Sequence, residues 1–255
     1  MTVLNNNFEG GPDGSAITAA NSNQSGLQNP FDVVYSGTLG MYYANASALG
    51  RPTAEYVCKL DHGSPGDYQY CEWTTSMGGT SQAYTRFYFY VTSTATVAGS
   101  NDLNLFTLSN AANADFASIY LRNTSQPVVM QIYDAQTLTF VNGTTIIQPN
   151  AWYRVEFRAN SGSGTGSSDL YLYAGDDVDS DAVTEHISQT GQDYGATSFG
   201  EYTLGNFHSF QTNAPVTYFS NWQVNNTGYP GPAPWRYKGS PGSLTNAVAP
   251  HDAIC

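Results

Sequence analysis

Apolar and polar positions alternate with a period of two along most of this chain. In Tyr84–Val91, the residues Phe87, Phe89 and Val91 fall on one face, and Tyr84, Arg86, Tyr88 and Tyr90 on the other. In Trp152–Arg158, Tyr153, Val155 and Phe157 alternate with Trp152, Arg154, Glu156 and Arg158. The first set of each run is expected in the core; one carboxylate between two guanidiniums on the second face reads as a self-satisfying ladder. Runs of this kind, rich in β-branched and aromatic residues and separated by Gly, Asn, Ser and Pro clusters, predict strands near 2–9, 15–20, 31–36, 54–60, 69–77, 84–94, 103–109, 116–122, 128–133, 138–148, 151–160, 169–174, 199–207 and 216–225. Helical periodicity is confined to a short stretch from Ala44 to Leu49, which Gly50 and Pro52 cut off. Many short strands at this spacing predict an all-β sandwich of two packed antiparallel sheets.

Two segments depart from the pattern. Ser161–Ser168, SGSGTGSS, reads as a flexible hairpin tip. Residues 229–255 carry five prolines and isolated apolar residues, which forbids ladder pairing. The expected organisation is therefore a sandwich over 1–232 and an extended arm over 233–255. Trp235, Arg236, Tyr237 and Lys238 are the arm's candidate docking residues.

Charge narrows the function classes. Twenty acidic side chains stand against eight basic ones, a net charge of −12, and charged residues make up only 11% of the chain. Phosphate binding needs a positive patch, so nucleic acid is not an expected partner. The same balance disfavours anionic lipid, and no apolar run approaches the roughly 20 residues that span a bilayer. The polar surface must come from Asn, Ser, Thr, Gly, Gln and Tyr, as in proteins that face the outside. Yet MTVLNNNFEG at the start reads as no secretory signal, and synthesis in a reducing compartment is expected. Cys58 and Cys71 flank the loop DHGSPGD in two strand-like runs, where a hairpin would bring them together either as a disulfide or as two buried free thiols.

Chemistry-bearing motifs are sparse. There is no G-x-S-x-G elbow, the Gly-rich run at 162–166 lacks a following Lys, and His62, His186, His208 and His251 lack metal spacing. Asp177, Asp179 and Asp181 offer alternating carboxylates, read either as calcium ligands or as a solvated acidic turn; the Gly and distal Glu of an EF-hand loop are missing. Glycan binding needs exposed aromatic platforms beside hydroxyl-bonding groups, and the loop-borne candidates are Tyr68, Tyr70, Trp73, Tyr194, Phe207 and Phe210.

Asn7-Phe8-Glu9-Gly10-Gly11, the paired runs Trp152–Glu156 and Leu170–Tyr173, and Tyr218–Trp222 followed by Gly228-Tyr229-Pro230-Gly231-Pro232 together resemble a concanavalin A-like (laminin G-like) jelly-roll domain. The closest resemblance within that superfamily is to minor tail proteins of phages that infect actinobacteria. This resemblance implies a virion surface protein made in the host cytoplasm, docked by its arm to other tail subunits, homo-oligomeric, and displaying loops to host-surface glycans. Alternative readings are a capsid decoration protein, a polysaccharide hydrolase or lyase of the same fold, and a free lectin module. Glucanases of the superfamily share a strand motif E-x-D-x-x-E, which is missing here; Glu156 is the most strand-like glutamate, but Arg154 and Arg158 are expected to lower its pKa and spoil it as an acid. A non-catalytic protein without an organic cofactor is the expectation. The resemblance also implies a structural calcium where the first and last strands meet, with Glu9 on one and Asn221, a weaker ligand, on the other.

Overall fold

In the computed structural model the described residues are 3–23, 28–50, 56–61, 68–74, 79–95, 97, 102–110, 114–123, 127–175, 178–195, 198–207 and 215–233. They form two antiparallel sheets. The first takes, in spatial order, β13 (Glu185–Gln192), β12 (Gly166–Tyr173), β11 (Trp152–Asn160), β6 (Gln82–Val91), β15 (Thr217–Asn225), β4 (Tyr56–Leu60) and β3 (Met41–Asn45), with β1 (Val3–Asn6) also pairing β15. The second runs β10 (Thr139–Asn142), β9 (Val128–Asp134), β8 (Asp115–Asn123), β7 (Leu103–Asn110), β14 (Phe199–Asn206), β5 (Gln69–Trp73) and β2 (Val33–Tyr35). About half of the pairings in each sheet join strands distant in sequence, and the first and last strands lie side by side. This is a jelly-roll β-sandwich.

The alternation in β6 and β11 sets the core. Phe87, Phe89, Val91, Tyr153, Val155 and Phe157 all point between the sheets and are buried. Trp73 of β5 and Trp222 of β15 close the sandwich from opposite sheets, their rings stacked with centroids 4.0 Å apart, and Phe31 packs on both. Each such ring contributes on the order of 2–3 kcal/mol on burial.

The other face of the first sheet is not open to water. Tyr84, Arg86, Tyr88 and Tyr90 are also buried, because two segments lie across them. Arg154 donates through Nη1 and Nη2 to the carbonyls of Val178 and Ser180. Arg86 donates to the carbonyl of Gly231, and the Tyr88 hydroxyl accepts from the Ala233 amide. Arg154 and Glu156 form the expected ion pair at 3.2 Å, but Arg158 turns instead to Asp169. Glu156 corrects its expectation: burial raises its pKa, and the opposing pull of Arg154 and Arg86 does not offset it.

Several strand boundaries differ from expectation. The run at 15–20 forms only a single bridge, Ala16 to Tyr42, and pairing in 138–148 stops at Asn142. Two strands were not expected, Met41–Asn45 and Glu185–Gln192. The stretch at 44–49 ends as a 3-10 helix, Ala46–Leu49, capped by the Asn45 side chain and by Gly50 at φ +70. Gly162–Thr165 makes the β11–β12 tip, closed by the Gly166 amide on the Gly162 carbonyl. Cys58 and Cys71 are free, buried thiols that come together across the sandwich and not in a hairpin, since β4 and β5 belong to opposite sheets.

The arm residues Trp235, Arg236, Tyr237 and Lys238 lie outside the described residues, as do Asp177 and Phe210. Among the described residues, no helix is long and apolar enough to cross a membrane.

Candidate functional site

The outward face of the seven-stranded sheet sets aromatic side chains beside polar ones. Strand β5 alternates Cys71 and Trp73 into the core, and so turns Tyr70 and Glu72 outward. Its ladder with β2 sets Tyr35 opposite Tyr70 and Val33 opposite Glu72. Tyr35 and Tyr70 stack with centroids 5.6 Å apart and an interplanar angle of 10°. Tyr68 meets Tyr35 edge-on, and Phe207 meets Tyr70 edge-on at 5.1 Å. Tyr35 and Tyr68 are 49% and 39% exposed, so this is an aromatic patch with one face in water.

Beside the patch the face turns polar. Glu72 stands opposite Thr203 of β14, and Thr203 opposite Thr107 of β7. Thr107 and Ser118 share a hydrogen bond of 3.0 Å, and Asn104 donates to Thr107 at 3.1 Å. Towards the far edge, Tyr120 and Tyr133 meet edge-on, Gln131 donates to Asn142, and Arg122 lies over the ring of Phe140. Six inter-strand spacings of about 4.8 Å make the sheet about 29 Å across, and Asn104, Thr107, Ser118, Gln131 and Thr203 at its middle are buried.

Two carboxyls on this face are perturbed. Burial, then the charges of Glu201, Asp32 and Asp115, push Glu72 up to about 7. Burial, then Asp115, raises Glu201. One Glu201 oxygen, Oε2, is buried without a hydrogen-bond partner.

Of the aromatic residues singled out in the sequence, Tyr68, Tyr70 and Phe207 are brought together here. Trp73 and Tyr194 are not platforms: both are fully buried. Trp73 belongs to β5 on its inward phase, donating its indole N–H to the Pro30 carbonyl. Tyr194 is drawn inward by Ser168 and Gln189, which bond its hydroxyl. Tyr35 was not singled out, because three residues of strand between turn-like segments give little sign of a partner ring across the sheet.

The expected metal residues are dispersed. Asp179 accepts from the Tyr88 hydroxyl under the 178–181 crossing, and Asp181 is exposed. Glu9 accepts from the Asn7 side chain at 2.6 Å. Asn221 sits in a left-handed conformation, φ +49, at the irregularity where β15 changes partners, and it bonds Ser220. A small polar cavity here is lined by Asn7, Gln28, Arg86, Asn221 and Gln223 among others. Its carboxamides are weak calcium ligands, and the Arg86 guanidinium bonds the Asn221 carbonyl at 3.3 Å, placing a fixed cation in the site. The residues gathered there do not fit a calcium ion. Among the described residues, no group of three or more His, Cys, Asp or Glu side chains gathers to hold a metal.

No protein-family model matches the chain, and no curated protein sequence matches it. Solved structures do. Alginate lyase vAL-1 from a Chlorella virus is 10% identical, over 67% of this chain and 85% of that one, with a TM-score of 0.44. An alginate lyase A1-II' variant is 12% identical over 89% and 95% of the two chains, TM-score 0.46. The lectin of Bauhinia forficata in complex with GalNAc is 11% identical over 76% and 98%, TM-score 0.45.

Proposed function

We propose that this protein is a non-catalytic glycan-binding jelly roll, holding an oligosaccharide along the outward face of the seven-stranded sheet. The observation that carries this reading is the convergence of Tyr35, Tyr68, Tyr70 and Phe207 into one aromatic patch, with Tyr35 and Tyr68 exposed, beside Glu72, Glu201 and the more deeply buried hydroxyl and carboxamide groups of the sheet. A sugar ring presents C–H groups to an aromatic face and hydroxyls to its edge, so it needs both kinds of contact side by side. Titration calorimetry with oligosaccharides tests it. Tyr35→Ala and Tyr68→Ala remove exposed rings at little cost to stability, and each is expected to weaken binding by roughly tenfold. Unchanged affinity in both variants would remove the patch from the site, and sustained release of reducing ends from the bound glycan would contradict the non-catalytic assignment.

The setting follows the sequence resemblance: a phage tail displays the protein towards host-envelope glycans, and the arm docks it on neighbouring subunits. Many copies on one particle would let weak single-site contacts add by avidity. Immunogold labelling of particles is expected at the tail. Labelling confined to the head would favour the decoration reading instead.

A further inference from the structure

Glu72 and Glu201 occupy adjacent strands of the candidate face. The ladder sets Glu72 opposite Thr203, which makes Glu201, two residues earlier, its diagonal neighbour on the same side. Each is 6% exposed. The charges that act on Glu72 are all carboxylates, namely Glu201, Asp32 before β2 and Asp115 of β8. Tyr70 and Tyr35 flank it on the aromatic side. Arg122, a basic residue of the same face, lies beyond β7 and is engaged with Asp102, Gln131 and Phe140.

Burial and neighbouring carboxylates both favour the acid form of such a carboxyl, because ionising it would add another like charge in a poorly solvated place. With its pKa pushed up to about 7, Glu72 is about half protonated at neutral pH, and in that form it is a hydrogen-bond donor, while the unpartnered Oε2 of Glu201 is an acceptor without a donor. A sugar hydroxyl is both donor and acceptor, and it satisfies the two together. A uronate would instead bring a further carboxylate beside Glu201, Asp32 and Asp115.

Given the glycan reading above, on which this rests, we propose that Glu72 and Glu201 are the hydroxyl-reading pair of the face and restrict it to uncharged sugars. Glu72 in its acid form donates to a sugar oxygen, and Glu201 accepts from a hydroxyl.

The test measures wild type, Glu72→Gln and Glu201→Gln against neutral hexose oligosaccharides and oligouronates of matched length, from pH 5.5 to 8.5. Wild type is expected to bind the neutral set alone, and to lose roughly thirtyfold in affinity by pH 8.5, since only the fraction with Glu72 protonated is competent. Glu72→Gln weakens binding but flattens its pH dependence; Glu201→Gln loses at least about tenfold, because an amide nitrogen replaces the accepting oxygen. Carboxyl NMR of the free protein checks the pair without any ligand, with Glu72 expected to titrate near neutrality. Oligouronates bound as tightly as neutral sugars, a pH dependence that survives in Glu72→Gln, or a Glu72 midpoint below pH 5 would each overturn the pair while leaving Tyr35-dependent glycan binding intact. Absence of binding in both ligand sets would overturn the glycan reading and the pair with it.

Discussion

Trp222 shows how much one side chain can fix at the residue scale. Its ring stacks on Trp73 of the opposite sheet, its edge meets Phe106, and its indole N–H reaches the Thr85 hydroxyl. Trp222→Ala is expected to destabilise the protein by about 3–5 kcal/mol in denaturant titration, the range for emptying a fully buried aromatic site. A loss below 1 kcal/mol would mean that the two sheets are not held together at this point. Residue-scale legibility in the sequence was uneven, and for a physical reason. Alternation told which of two neighbours faces inward, so Phe87, Phe89, Val155 and Phe157 were readable. It could not tell whether the outward phase meets water or a second layer of chain. Glu156 is the clearest consequence: its neighbours in sequence argued for a lowered pKa, but the segments over the sheet bury it and reverse the direction. Trp73 and Tyr194 were misplaced for a related reason, since a loop-like neighbourhood does not reveal which way a ring turns.

At the scale of elements, the strands that carry β-branched and aromatic residues were legible and the polar edges were not. Strand β13, EHISQTGQ, alternates only through Ile187 and Gln189 and pairs on one side, with β12. An edge strand of that kind has half the apolar signal of a central one. Its first residue, Glu185, also explains why pairing in 138–148 stops early. The carboxylate accepts from the Thr144 and Thr145 amides and from the Thr144 hydroxyl, so these groups are spent on a side chain instead of a ladder. Burial alone would raise the Glu185 pKa; these hydrogen bonds outweigh it and hold the group below its ordinary value. The aromatic patch belongs to this scale too. Tyr68 and Tyr70 are near neighbours in sequence, but Phe207 and Tyr35 join them only through the β5–β14 and β2–β5 ladders, which no local pattern encodes.

For the molecule as a whole, the two sheet faces have different fates. The eight-stranded sheet is roofed by its own chain, with the Arg154–Glu156 pair, Arg86 and Tyr88 all committed beneath residues 178–180 and 231–233. The seven-stranded sheet keeps Tyr35, Tyr68 and Phe140 in solvent towards its edges, while Asn104, Thr107, Ser118 and Thr203 between them are buried. Net charge of −12 adds a long-range preference against polyanions on top of the local carboxylates. The central claim is that the seven-stranded face holds the ligand, and amide chemical-shift mapping during titration with a bound neutral oligosaccharide tests it most directly. The predicted perturbations centre on Tyr35, Tyr68, Tyr70, Glu72, Thr203 and Phe207. Shifts concentrated on the roofed face, around Arg86, Arg154 and Tyr171, would contradict the account.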